Sequence, residues 1–544
     1  MSMPTPFIAL IISLLIGPSL LSARPCGTRW LAEEGGDLPL PTAGKAAAIA
    51  QDGPIAVGTS LPVAISGDVF LRSTTCRYVG EHAYIFVQDS VWDVVVVQSS
   101  VDRLGALFDD ATPADSDRGV YEMAVDAFGT VPDVDGDERI FIFIIDMPDD
   151  RVVGYFDPRI SIHVDASLRR DAVYLDAFHL NANPTLARGT LAHEFQHLIH
   201  WGHDPDEEIW IDEGLSGYAE ALVGFAETDP QMVPQFLNEP DIDLTAWPSL
   251  TSAAIPHYGA TYLFASFLRA RHGPDLIRAL VAEGRNGTFG IDEAFKTVGA
   301  VENFAGAWAL WIAANYASDD ADYGYEALRD RRVRTYDFTE MPLSTKRGEV
   351  LNQWGALGVV LQSAGHIEVE FDGAEEGRYA VWGYGMRGST GQMRALSLDE
   401  SNAGKDQWPG VDSVAIVVGR TSLAGGAFSL SARAYEPEPI PTSVSGQADV
   451  LPLVSSLGAA YPNPHNGQVV LPVKLVQPSN VSLHIYNSLG QRVYRLHSGL
   501  LESGTHAIYW GGHDETGQAV ASGQYYAVAH IDDAVFVRGL TLLK

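Results

Sequence analysis

Positive charge is scarce in this 544-residue chain: 35 Lys and Arg stand against 69 Asp and Glu, a formal net charge of −34. A surface this acidic argues against nucleic acid or anionic membrane as a partner, because both bind through cationic patches. Cysteine is scarcer still, with only Cys26 and Cys76. Two thiols allow one disulfide, closing a loop across the N-terminal region in an oxidising compartment. Long apolar runs are also lacking. Phe7 to Leu21 is too short to span a bilayer and ends in Leu21-Ser22-Ala23, the pattern of a signal peptide over 1–23 cleaved after Ala23. No later stretch is long and apolar enough to cross a membrane. Cys26 follows Ala-Arg-Pro, a poor acylation box, so no lipid anchor is expected. These features together suit a secreted or cell-surface protein.

Against this background stands His193-Glu194-Phe195-Gln196-His197, with Glu213 sixteen residues further on in Trp210-Ile211-Asp212-Glu213-Gly214. Two imidazoles four residues apart on a helix share a face and can hold one metal ion. Glu194 sits beside that metal and can take a proton from bound water. The context predicts a helix. Asn183 is a favoured N-cap, Pro184 suits the first helical position, and Leu186, Leu191, Leu198 and Ile199 form an apolar stripe. Gly202 and Pro205 mark its end. Two residues compete as third ligand. His203 lies ten residues after His193, where metzincin peptidases carry their third His, but His200 stands where that pattern wants Gly and no Met-turn follows. Glu213, with Asp212 read as N-cap of a second helix, is favoured. His200 and His203 then read as surface or rim residues. Neither cysteine is near the motif, so neither is expected to ligate metal.

HEFQHLIHW followed by WIDEGLSGYAE resembles the gluzincin zinc peptidases, especially the secreted hyicolysin-like and immune inhibitor A-like bacterial groups. The similar stretch runs roughly from 95 to 320. The resemblance implies His193, His197 and Glu213 as ligands of Zn2+ and Glu194 as general base and acid. Asp212 stands where that family usually has Asn. A donor to the developing oxyanion is implied in His257-Tyr258-Gly-Ala-Thr-Tyr262, with Tyr258 first and His257 second. Asp133-Val-Asp135-Gly136-Asp137 resembles a Ca2+ loop, since carboxylates converge around a tight Gly bend, although Ile144 occupies the twelfth position where an EF-hand has Glu.

The periodicities predict an α+β multidomain chain. Residues 24–90 form an N-terminal segment or pro-region, or a β subdomain. A gluzincin zinc-peptidase domain over 91–345 pairs a mixed α/β lobe with a helical lobe. Strands are expected at Val94–Gln98 and Ile140–Asp146, and helices at 101–108, 121–128, 185–201, 213–225, 259–271 and 303–317. A small antiparallel β-sandwich is expected over 346–435 and a Pro-rich linker over 436–450. The tail, 451–544, carries Tyr461-Pro-Asn-Pro, Ile485-Tyr-Asn-Ser-Leu-Gly490, Trp510-Gly-Gly-His-Asp-Glu-Thr-Gly517 and Ser522-Gly-Gln-Tyr-Tyr526. It is similar to type IX secretion sorting domains and to the Ig-like domain of flagellar hook-capping proteins. That likeness implies a tail that engages export machinery. The expected activity is hydrolysis of extracellular protein or peptide substrates by a zinc endopeptidase. An aminopeptidase, which would need an acidic anchor for the substrate amine upstream of the motif, and a non-catalytic adhesion or scaffold protein are the alternatives.

Overall fold

The computed structural model describes residues 24–26, 28, 55–434 and 456–542, apart from 66–69, 150–151, 164–168, 227–229, 249–251, 301, 319, 321–322, 339–342, 389, 459, 461–468, 477, 488–490, 502–503, 515–519 and 532–533. The expected signal peptide, linker and Tyr461-Pro-Asn-Pro motif lie outside the described residues. The chain is an α+β multidomain protein that divides into two compact units, 1–298 with 303–436, and 437–544 with 299–302.

The first unit is built on a seven-stranded sheet. Its strands are β1 (Arg24–Cys26), β2 (Ser60–Val63), β3 (Arg72–Val79), β4 (Ala83–Gln88), β5 (Ile140–Ile145), β6 (Val152–Phe156) and β7 (Ala172–Asp176). Their order is β1-β6-β7-β5-β4-β3-β2, so the sheet runs across residue 91, where the sequence reading opens the peptidase domain. β5, Ile-Phe-Ile-Phe-Ile-Ile, lies between parallel β4 and β7 and is buried at every position. A strand covered on both faces needs that unbroken apolar run. One face packs Phe86, Phe141, Phe143, Tyr155 and Tyr174 into the core.

The motif helix (Pro184–His203) lies on this sheet, beginning with the expected cap: the Asn183 side chain accepts from the Leu186 N–H. Gly154 on β6 permits the close approach, since a Cβ there would sit 2.7 Å from the Thr190 methyl. Phe195 packs against Phe108 and Tyr121 of helices Gln98–Asp109 and Val120–Phe128. Gly202 does not end the helix. Its missing side chain makes room for Pro132, 3.0 Å from where a Cβ would stand, and the helix stops at Asp204, before Pro205. The expected strand at Val94–Gln98 is a turn leading into a helix. Val94 and Val97 face solvent, so their β-branched side chains find no partner sheet.

Helices Ile209–Leu222 and Ile255–His272 pack together through Gly214, where a Cβ would meet the Thr261 backbone at 2.9 Å. Helices Met232–Asn238, Pro274–Val281 and Gly287–Thr297 carry no expectation from sequence. Their short apolar stripes are interrupted by Pro and Gly signals. Helix Phe304–Ala314 meets the β region through Trp308, which packs edge-on with Trp354 and would clash with any side chain at Gly419.

Residues 335–434 form one seven-stranded sheet rather than two separate ones. Two eighteen-residue strands, Ala356–Gly373 and Ala403–Arg420, carry it through a register shift between Gln362 and Ile367, so both halves bury side chains in one core around Trp408. The second unit is a sandwich of three-stranded and four-stranded sheets over a core containing Trp510 and Tyr525. Among the described residues, no helix is long and apolar enough to cross a membrane.

Candidate metal centre

His193 and His197 project from the motif helix toward Glu213, and all three side chains are almost fully buried. His193 Nε2 lies 3.2 Å from Glu213 Oε2, and His197 Nε2 lies 3.8 Å from the same oxygen. Each imidazole points its other nitrogen outward to a carboxylate. His193 Nδ1 is 2.7 Å from Glu220 Oε1, and His197 Nδ1 is 2.8 Å from Asp212 Oδ2. Donation of Nδ1–H to these carboxylates fixes the tautomer that leaves the Nε2 lone pair facing inward. Ser216 Oγ, 3.1 Å from His197 Nδ1, braces the same ring.

Asp212 is not a cap. The helix begins at Ile209, because Trp210 and Ile211 are buried, and Asp212 falls in its first turn. Its second oxygen reaches His200 Nδ1 at 2.9 Å. His200 is therefore a buried partner rather than a rim residue. Burial would raise the Asp212 carboxyl, but His197 and His200 outweigh it and hold the group well below the usual carboxylate range. Glu213 and Glu220 lie two turns apart on this helix, the spacing that brings both to one face. His203 is placed elsewhere, with Nε2 3.0 Å from the Thr130 carbonyl.

A fourth potential ligand comes from an unexpected place. Cys26, on β1, puts Sγ 3.5 Å from His197 Nε2, and its thiol lies within 4.8 Å of the His193, His197 and Glu213 ligand atoms, which are also that close to one another. Sequence reading expected Cys26 either to pair with Cys76 or to stay clear of the metal. Both thiols are free and buried. β1 and β3 are separated by five strand spacings in the sheet, about 24 Å at ~4.8 Å each, far beyond the reach of a disulfide. Cys76 Sγ instead donates to the Tyr78 carbonyl, 3.2 Å away.

The donor set suits zinc. His193 Nε2 and Glu213 Oε2 are buried without a hydrogen-bond partner although they converge, so neither is satisfied by the protein alone. Burial alone would lower the pKa of His193 and His197, yet the neighbouring thiol and carboxylates raise both. Glu194 is fully buried, and burial pushes its carboxyl above the ordinary range. Glu194 Oε2 accepts a 2.6 Å hydrogen bond from the Thr28 hydroxyl.

His257 and Tyr258 stand at the start of helix Ile255–His272, both in ring contact with Trp247, His257 tilted and Tyr258 edge-on. His257 precedes Thr261 by one turn on the side that meets Gly214. The acidic turn is only partly as expected. Asp133 and Asp135 converge with Asp171, while Asp137 turns away to accept from Tyr84 OH at 2.8 Å. Asp171 is buried, with Oδ1 unpartnered, and burial with Asp135 and Asp133 nearby pushes its carboxyl up to about 7.

Comparison with known proteins gives partial matches. Residues 464–534 match the FlgD Ig-like domain family. Over 243 residues the chain is 22% identical to the neutral metalloprotease ShpI of Staphylococcus hyicus, covering 40% of this chain and 52% of that protein. The chain thus spans about half the length of the curated relative it matches. Among solved structures, it is similar to the pre-peptidase C-terminal domain of a Bacillus anthracis collagenase, at 9% identity over 19% of this chain and 100% of that one, TM-score 0.17. It is also similar to dimeric latent PorU from Porphyromonas gingivalis, at 12% identity over 39% and 19%, TM-score 0.15. Scores this low assign no fold. The chain is a distant relative of a metalloprotease with a C-terminal FlgD Ig-like match.

Proposed function

We propose that this protein is a secreted zinc-dependent endopeptidase. The observation that carries the reading is the convergence of His193, His197 and Glu213, each buried, with both imidazoles braced by carboxylates. These three residues would hold zinc, which, when bound, supplies a polarised water and a Lewis acid for the scissile carbonyl. Glu194 takes the proton from the attacking water and delivers it to the departing amine, a task its raised pKa suits. Asp212 and Glu220 keep the ligand imidazoles in register. His257 or Tyr258 donates to the oxyanion. The distant likeness to a neutral metalloprotease supports the reading, and the FlgD Ig-like match supports an Ig-like tail, whose proposed role is to engage export machinery.

Zinc content and casein hydrolysis test it together. Wild type should carry about one zinc and cleave once activated. Glu194→Gln should keep the metal and lose cleavage, and Glu213→Ala should lose the metal. Full zinc and activity in Glu213→Ala would remove Glu213 from the site. Asp133, Asp135 and Asp171 form a second proposed site, for calcium, whose hard oxygen ligands the buried Asp171 completes. Calcium should raise the melting temperature of wild type and leave that of Asp171→Asn unmoved; equal shifts would remove this site.

A further inference from the structure

β1 covers the end of the sheet beside the metal centre. It pairs in parallel with β6, Arg24 opposite Val152 and Cys26 opposite Gly154, and β6 is the strand packed against the motif helix. Without β1, β6 would be the sheet edge beside the metal centre, with unpaired N–H and C=O groups of the kind that hold an extended peptide. Two residues of this segment then reach the chemistry. Cys26 brings its thiol to the convergence of His193, His197 and Glu213. Thr28 bridges β6 and the general base: its hydroxyl accepts from the Phe156 N–H at 2.7 Å and donates to Glu194 Oε2 at 2.6 Å.

We propose that β1 and Thr28 form a latency device in which Cys26 is the fourth metal ligand. The inference rests on the zinc-peptidase reading and deepens it. Three protein ligands leave one position open for water, and a thiolate in that position closes it. The Cys26 thiol loses its proton to solvent as it ligates, so the sulfur enters as thiolate. Thr28 holds the carboxylate that would otherwise take a proton from water. β1 covers the edge a peptide would use. Metal, base and peptide-binding edge are blocked at once by one short segment. Release requires that segment to leave β6, which a cut in the chain beyond Thr28 would permit by hydrolysis of one peptide bond.

The donor set supports a bound thiolate independently of activity. His193 Nε2 and Glu213 Oε2 are buried 3.2 Å apart without a hydrogen-bond partner, and they share their focus with Sγ. Cys76 is an internal control, since it is equally buried and lies on β3, far across the sheet.

The test loads the full chain with cobalt(II) in place of zinc. Wild type should show an intense near-ultraviolet thiolate-to-cobalt band, and Cys26→Ser and Cys26→Ala should lack it while binding the same amount of metal. Cys76→Ser should keep it. Removing metal from wild type should expose one additional thiol to alkylation, identified as Cys26 by peptide mapping. Cys26→Ala should cleave casein at least roughly tenfold faster than the unprocessed wild type, because the open position is restored. Identical cobalt spectra in wild type and both Cys26 variants overturn the ligand assignment. Equal, measurable cleavage by unprocessed wild type, Cys26→Ala and the chain lacking 24–28 overturns latency and leaves the peptidase reading standing. A cobalt–thiolate band in a protein that cleaves nothing, even as Cys26→Ala or after removal of 24–28, sustains the ligand and overturns the peptidase reading. Loss of metal in the Cys26 variants alone would make Cys26 a structural ligand and also overturn latency.

Discussion

Asp212 shows how much a single carboxylate can organise here. One oxygen orients a proposed ligand, His197, and the other orients His200, while the adjacent Glu213 faces the metal position. Nearby, Glu207 is half-buried and accepts from the Gly287 and Glu208 N–H groups. Burial still pushes its carboxyl up to about 7. A raised folded-state pKa favours the protonated form, so this group's stabilising effect is complete below the unfolded carboxyl pKa, about 4.3, and is lost as pH rises through about 7. Glu207→Gln keeps an acceptor and removes the titration. Its melting temperature should match wild type near pH 4 and exceed it increasingly toward pH 8; a gap independent of pH would refute the assignment. The residues that meet at the centre were unequally legible. His193, Glu194, His197 and Glu213 announce themselves by helical spacing and local context. Glu220 could have been read from its seven-residue interval from Glu213. Cys26 could not, because 171 residues separate it from His197 and no periodicity reports which strand a short N-terminal segment will join. Asp171 was hidden in the same way, brought to Asp133 and Asp135 only by the parallel pairing of β5 and β7.

The motif helix and the helix carrying Glu213 act as a pair, positioned from behind by helix Ile255–His272. Gly214, next to Glu213, is the closest point of that contact. Gly214→Ala would press a methyl onto the Thr261 backbone, and overpacking of this kind costs about 1–3 kcal/mol. Because the methyl pushes on the turn that holds Glu213, the variant should lose metal affinity as well as melting temperature. A drop in stability with unchanged zinc affinity would show that the two helices yield without moving the carboxylate. The long helices and β5 were legible because their periodicity and caps agree with burial. Val94–Val97 misled because β-branched residues look alike whether they line a sheet or an exposed turn. Helix Ile209–Leu222 begins four residues before Glu213, because Trp210 and Ile211 bury against the helical lobe and pull the first turn back.

Each of the two units has its own core, so the tail should unfold as a unit of its own. Deleting 437–544 should leave the unfolding transition and zinc content of the remaining chain unchanged while removing one calorimetric transition; a shift of more than about 5 °C in what remains would show that the units stabilise each other. The multidomain α+β plan was legible from the switch in periodicity after Tyr336, but the single sheet that folds over itself at Gln362–Ile367 was not, since a corner in a strand and a turn between strands share the same Gly and Ser signals. The position of β1 has one more consequence. A bare strand edge is a template on which copies of the same molecule can stack. With β1 in place, β6 offers no such edge. β1 then forms the outer edge itself, and at three residues it is a shorter template than the five-residue β6 would be, which blunts stacking between copies.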